Sequence, residues 1–257
     1  MRTVLIETEY DGSGFHGWQA QPETRTVQGD LEAALSKVCG EPIRVSGTSR
    51  TDAGVHAYGQ TASFTGDFGI PTERIPIAAN NLLTDIRIKR AEEKPQGFHA
   101  RYDAVGKTYL YRIRVGETPD IFLRNYRYLL NKKPNTSNMR EAASHFIGKH
   151  DFRAFMSSGG TRPKTTERTV FALDISESQT ELSVRITGDG FLYNMVRIVV
   201  GTLVEVGLGV GKPENARKII ASGARSEAGH TAPPSGLYLE RVYFSKAEMA
   251  ELTANEV

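Results

Sequence analysis

Val4, Ile6, Thr8 and Tyr10 alternate with Thr3, Leu5, Glu7 and Glu9, the two-residue period of a strand. The period then changes. Val27, Leu31, Ala34, Leu35 and Val38 share one helical face, and Thr26 stands where a side-chain oxygen would cap the first turn. Short strands are expected over 42–47 and 59–65, with SRTDAGVHA between them. A helix over 72–83, disturbed by Pro76, and a strand over 86–91 follow. The order is β, α, β, β, α, β.

The order recurs. Tyr109, Tyr111, Ile113 and Val115 share one face of a strand expected over 108–115, and a helix is expected over 137–147. Strands over 169–176 and 181–187 lead to a long helix marked by Phe191, Met195, Ile198, Val199, Leu203 and Val206. Pro213 opens a shorter helix to 221, and 237–244 is the last strand. The pattern predicts an α+β fold, two tandem ferredoxin-like βαββαβ halves with mainly antiparallel sheets facing a central cleft. Pro95 and Gly97 interrupt the periodicity within 94–101, so the expected division is 1–97 and 98–257. The Glu-rich tail from Ser245 is expected to fray.

With 257 residues the chain can bury a substantial core. Its single cysteine, Cys39, excludes an intramolecular disulfide and suits a reducing compartment, so a cytoplasmic location is expected. The N-terminus reads as a strand rather than a signal peptide, and no window of about 18 apolar residues occurs, so no membrane span is expected. The formal charge is only +2, but it is unevenly spread. Between 98 and 133 stand Arg101, Lys107, Arg112, Arg114, Arg124, Arg127, Lys132 and Lys133 against Asp103, Glu117 and Asp120, eight minus three, or +5. Five basic and two acidic residues between 149 and 168 add +3. This middle stretch is the candidate phosphate-facing surface; the plainer alternative is a solvated charged face.

Gly12, Gly14 and Gly17 spell G-x-G-x-x-G directly after a strand, a nominal dinucleotide-binding fingerprint. The context excludes it, because residues 18–25, Pro22 among them, separate the last glycine from the helix whose N-terminus would hold a pyrophosphate. The stretch YDGSGFHGW is instead expected to be a tight loop near the site, with Trp18 packed beneath it. Cys39 has no nearby histidine in sequence, and the six scattered histidines show no ligand spacing, so neither a thiol nucleophile nor a metal site is expected. The segment Ser49-Arg50-Thr51-Asp52-Ala53-Gly54-Val55-His56-Ala57 is richer, placing a cation, a carboxylate and an imidazole within seven residues of an inter-strand connection. An Asp two positions before Gly also suits an Asx-turn.

RTDAGVH resembles the signature of the tRNA pseudouridine synthase A (TruA) family. EYDGSGFHGWQAQP with TVQGDLEAAL, FHARYDAVGKTYLYRI, GFLYNMVRIVVGTL and APPSGLYLERV resemble further family segments, in order, across nearly the whole chain; Ser49 stands where many members have Gly. The resemblance implies an isomerase that turns uridines 38–40, on the 3′ side of the tRNA anticodon stem-loop, into pseudouridine as a homodimer whose RNA spans both subunits. It assigns Asp52 as the nucleophile, Tyr109 as the active-site tyrosine stacking on the uracil, and Arg197 as the partner of the catalytic carboxylate. Arg50 would fill the space of a flipped base or clamp a flanking phosphate, Arg101 and Lys107 would hold RNA, and His56 completes the expected substrate-binding set. Tyr111, two residues beyond Tyr109, is expected to be a core tyrosine.

The reaction breaks the N1–C1′ bond and joins C5 to the same carbon with no atom gained or lost, so no metal or organic cofactor is expected. An Asp can attack C1′, attack C6, or assist a glycal intermediate; the sequence leaves all three open. Two other readings are weaker. An RNA recognition module would carry the K/R-G-F/Y-G/A-F-V-x-F/Y strand, which is missing, and a nucleotide hydrolase would cluster carboxylates for Mg²⁺, whereas Asp52 has no acidic partner in its segment.

Overall fold

The computed structural model describes residues 1–159 and 163–254. They form two compact units, one comprising Met1–Val105 and Tyr238–Leu252, the other built chiefly of Gly106–Leu237. The fold is α+β with mostly antiparallel strands, as the two periodicities require.

The first unit runs β1 (Arg2–Tyr10), α1 (Val27–Cys39), β2 (Ser46–Gly47), β3 (His56–Gly66), α2 (Ile75–Asn80) and β4 (Ile86–Lys94). β1 is flanked antiparallel by β3, Val4 opposite Phe64, and by β4, Val4 opposite Glu93. β2 pairs with the other edge of β3, Gly47 opposite Ala62. That edge also takes the last strand, β10 (Leu237–Tyr243), in parallel, Tyr238 opposite His56. From Tyr238 onward the chain therefore groups with the first unit, whereas the expected linear division put it with the second.

Helix α1 is capped as expected, Thr26 Oγ1 accepting the Gly29 N–H at 3.2 Å. Leu31 and Leu35 are fully buried, each contributing about 1.5–3 kcal/mol of apolar burial. The strand expected over 42–47 shrinks to two residues because α1 supplies its hydrogen bonds. Ser36 Oγ accepts the Ile43 N–H at 2.8 Å, and the buried Glu32 accepts the Val45 N–H at 3.0 Å. The helix expected over 72–83 becomes a 3₁₀ turn, Thr72–Arg74, and the six-residue α2, with Pro76 in its first turn.

The second unit runs β5 (Gly106–Val115), β6 (Tyr128–Leu130), α3 (Thr136–Ser144), β7 (Gly148–Asp151), β8 (Glu167–Glu177), β9 (Glu181–Gly188), α4 (Met195–Gly207) and α5 (Asn215–Ser222). β5, β9, β8 and β7 follow one another antiparallel, and β6 lies parallel to the end of β5, Ile113 opposite Tyr128. β6 and β7 are too short for an alternation to show in sequence. Eleven of the thirteen residues of α4 are buried, which is why it reads as apolar nearly all round. It begins at Met195 rather than 191, because Asn194 adopts a left-handed backbone, φ 62°. The tail expected to fray is helical, α6 (Lys246–Ala254). Among the described residues no helix is long and apolar enough to cross a membrane.

Candidate active site

The loop between β2 and β3 is held at three places. At its start, the fully buried Gln60 grips Ser49: its amide donates to Ser49 O at 2.8 Å and accepts the Ser49 N–H at 3.3 Å. In the middle, Thr51 shares a 2.8 Å hydrogen bond with the Tyr10 phenol, and its carbonyl accepts the Trp18 N–H at 3.0 Å. At the end, Asp52 O accepts the Val55 N–H at 3.1 Å, closing a β-turn with Gly54 at φ 78°.

The glycine pattern of residues 12–17 explains why the loop sits so close. A Cβ on Gly12 would stand 2.0 Å from Val55 O. One on Gly17, at φ 86°, would stand 2.8 Å from Thr51 O and 3.2 Å from Ala53 N. Trp18 is 2% exposed and packs against Gly47 of β2. Ser49, Thr51 and Val55 are buried, while Arg50 is exposed and Asp52 half-buried, so the loop turns its cation and its carboxylate outward from a buried base.

His56 occupies a different position from the substrate-facing one expected. It is 2% exposed; its Nδ1 accepts the Gly12 N–H at 3.1 Å, and its ring stacks on Tyr238 at 4.7 Å. Those contacts tie the end of the loop to β10 and to the glycine turn. Arg101 lies on an exposed turn attached to the other end of the loop: the Ala100 N–H donates to Ser63 Oγ at 3.0 Å, and Thr48 Oγ1 donates to Ala100 O at 3.1 Å.

In the second unit Tyr109 is 8% exposed on β5, edge-on to Phe191 at 5.2 Å. Tyr111 is fully buried, and its hydroxyl donates to Pro233 O at 2.6 Å. Burial pushes that phenol well above its usual pKa, leaving a neutral structural donor. Lys107 is half-buried on the same strand. Arg197, half-buried on α4, donates from Nε to Ala232 O and from Nη1 to Asn194 Oδ1, both at 2.7 Å. The Asn194 amide also donates to Ser157 Oγ at 3.0 Å. Glu205, further along α4, is hydrogen-bonded to His230 Nδ1 at 2.8 Å.

Two positioning residues escaped the sequence reading. Asn194 gave no signal, since a left-handed backbone cannot be read from an isolated asparagine. Gln60 gave little more, one long polar side chain at the start of QTASF, a run that already holds Thr61 and Ser63.

The basic stretch is less free than its net charge suggests. Arg112 and Arg127 share Glu181 at 2.9 and 3.0 Å, and Lys133 pairs with Glu177 at 2.6 Å. Burial raises the Glu181 carboxyl, but the hydrogen bonds from Arg127 and Arg112 outweigh it and leave its pKa below the ordinary value. Arg162, one of the cations counted between 149 and 168, lies outside the described residues. Among the described residues no three His, Cys, Asp or Glu side chains gather as metal ligands would.

The family described as tRNA pseudouridine synthase matches residues 7–103 and 142–245. A tRNA pseudouridine synthase A of Acetivibrio thermocellus is 46% identical over 95% of this chain and the whole of its own length. That of Bacillus subtilis is also 46% identical, over 91% of this chain and 96% of the relative. Among solved structures, the archaeal box H/ACA Nop10–Cbf5 complex holds a chain 14% identical with a TM-score of 0.34. The alignment covers 80% of the present chain and 54% of that one, so this chain spans about half its length.

Proposed function

The chain belongs to the tRNA pseudouridine synthase family, isomerases of uridine in tRNA, and we propose that Asp52 is the nucleophile with which it performs that reaction. The observation that carries the assignment is the loop itself: a half-buried carboxylate on a β-turn between the buried Thr51 and Val55, in a loop anchored from Tyr10, Trp18 and Gln60. A carboxylate so held loses little freedom on meeting the nucleotide.

The remaining roles follow from chemistry and family. Tyr109 stacks on the uracil, and its phenol serves the proton that leaves C5 as the C5–C1′ bond forms. Arg197 is the cation that keeps the Asp52 carboxylate ionised and directed, with Asn194 and the Ala232 carbonyl fixing the guanidinium. Arg50 replaces the base flipped from the stem, and Arg101 and Lys107 hold the RNA backbone. His56 acts by positioning the loop. The target is the 3′ side of the anticodon stem-loop, the working form a homodimer in the cytoplasm, built of two ferredoxin-like halves, with no metal or organic cofactor.

Asp52→Asn keeps the side-chain size and removes the nucleophile. It should leave folding and tRNA affinity nearly intact while abolishing pseudouridine formation on unmodified transcripts, mapped by chemical labelling and sequencing. Turnover within about tenfold of wild type, roughly 1.4 kcal/mol, would refute the assignment. Arg197→Met should lower turnover more than about a hundredfold with a smaller loss of stability; a loss of stability alone would return Arg197 to a structural role.

A further inference from the structure

In the second unit a cavity of about 340 Å³ lies between the end of β5, residues 119–124, the start of β6 and residues 233–235. Arg114, Arg124 and Arg127 line it against one carboxylate, Asp120. The three arginines are not equivalent. Arg127 is committed to Glu181 at 3.0 Å and to the Tyr126 carbonyl at 2.8 Å. Arg124 is exposed and donates only to a neutral acceptor, Ile121 O at 2.8 Å. The Nε of Arg114 is buried with no hydrogen-bond partner. Asp120 accepts the Phe122 N–H at 2.9 Å, and among the described residues neither Arg114 nor Arg124 has a carboxylate within ion-pair distance.

A guanidinium N–H withdrawn from water without an acceptor is costly, and native structures seldom keep one. An anion entering the cavity would supply the counter-charge that Arg114 and Arg124 lack. The rest of the lining says what carries that anion. Pro119, Leu123, Leu129 and Pro233 make an apolar wall with the Tyr128 ring, in a space larger than a bare phosphate requires.

We infer that this cavity is a second RNA-binding site, which takes one nucleotide of the tRNA away from the target uridine. The phosphate sits between Arg114 and Arg124, and the sugar and base lie on the apolar wall. The inference rests on the tRNA reading above, but not on the assignment of Asp52. It also separates the working cations of the basic stretch from those spent internally, Arg112, Arg127 and Lys133.

The test uses the full chain and an unmodified tRNA transcript, with affinity measured between about 50 and 200 mM salt. Arg124→Ala should weaken binding about five- to twentyfold and lower the slope of log affinity against log salt by about 0.7 to 0.9, one phosphate's share. Arg114→Lys keeps the charge but removes the planar guanidinium fork, and should weaken binding with the slope unchanged. Arg124→Lys should restore the slope. Unchanged affinity and slope in Arg124→Ala would overturn the inference. So would variants that bind tRNA normally but lose binding of uridine 5′-monophosphate, since the cavity would then serve a free nucleotide. If wild type binds tRNA with this salt signature yet forms no pseudouridine, the reaction reading falls and the site stands.

Discussion

The loop that presents Asp52 and the helix start that presents Arg197 each display a charged group from a buried base, by opposite means. The loop rests on backbone: peptide planes of residues 51–55 lie against those of residues 12–18 with no side chain between them. The helix start uses a side-chain bracket, since the Asn194 amide is among the groups that hold Arg197, beside the Ala232 carbonyl, and Asn194 itself holds an uncommon backbone conformation. Backbone packing tolerates almost no added volume, whereas a side-chain bracket can be removed with little disturbance of its surroundings. Orientation and stability should therefore be inseparable in the loop and separable at the helix.

The largest effect expected is at Gly12. Gly12→Ala places a methyl 2.0 Å from Val55 O and should cost about 2–4 kcal/mol in denaturant unfolding, with turnover down at least about a hundredfold. Gly14→Ala is the internal control, because the nearest atom to its new Cβ is the flexible Arg25 Nη1 at 3.5 Å; it should change stability by less than about 0.5 kcal/mol. Similar losses in both would mean that the glycine turn is merely fragile and that contact with the loop is irrelevant.

Asn194→Gly should show a smaller effect of the opposite kind. Glycine accepts the left-handed backbone, so stability should hold within about 1 kcal/mol, while losing the amide should slow turnover about tenfold, roughly 1.4 kcal/mol. Full turnover in this variant would erase the contrast, since Arg197 would then be positioned without the bracket.

The smallest effect belongs to a solvated ion pair that serves neither site. The Arg153 side chain, hydrogen-bonded to Asp151, holds its carboxyl below the ordinary value, at about 2. A depressed carboxylate pKa adds stability that is present above the unfolded-state value, about 3.9, and is lost as pH falls toward 2. Asp151→Asn should cost less than about 1 kcal/mol at pH 7 and should flatten the decline of stability between about pH 4 and 3. Urea titrations at those pH values decide it. An unaltered slope would assign the acid sensitivity to other carboxylates, such as Glu7 or Glu177, whose pKa values are also lowered.

The elements legible in the sequence were those whose periodicity is set by one buried face: β1, α1, β5, β9 and α4 all lie where alternation or helical spacing places them. Segments whose hydrogen bonds come from elsewhere were not legible. Residues 43–45 read as a strand because Ile43 and Val45 are buried, but their N–H groups go to Ser36 and Glu32 of α1. The grouping of β10 with the first unit is a long-range parallel pairing that no local pattern announces. In the site, the charged groups stood out by resemblance, whereas their supports Gln60 and Asn194 depend on φ angles and partners fixed only in three dimensions.

The glycine turn after β1 also bears on how this chemistry could be transplanted. A G-x-G-x-x-G sequence that elsewhere opens space for a pyrophosphate here opens space for another stretch of the same chain, with Gly12 against Val55 and Gly17 against Thr51. The recipient of the cradle is covalently part of the protein, so donor loop and receiving turn form a single matched pair. Grafting residues 48–57 alone onto a different α+β scaffold should yield a mispositioned carboxylate, whereas moving 10–18 together with 48–57 carries the mould and the casting as one piece.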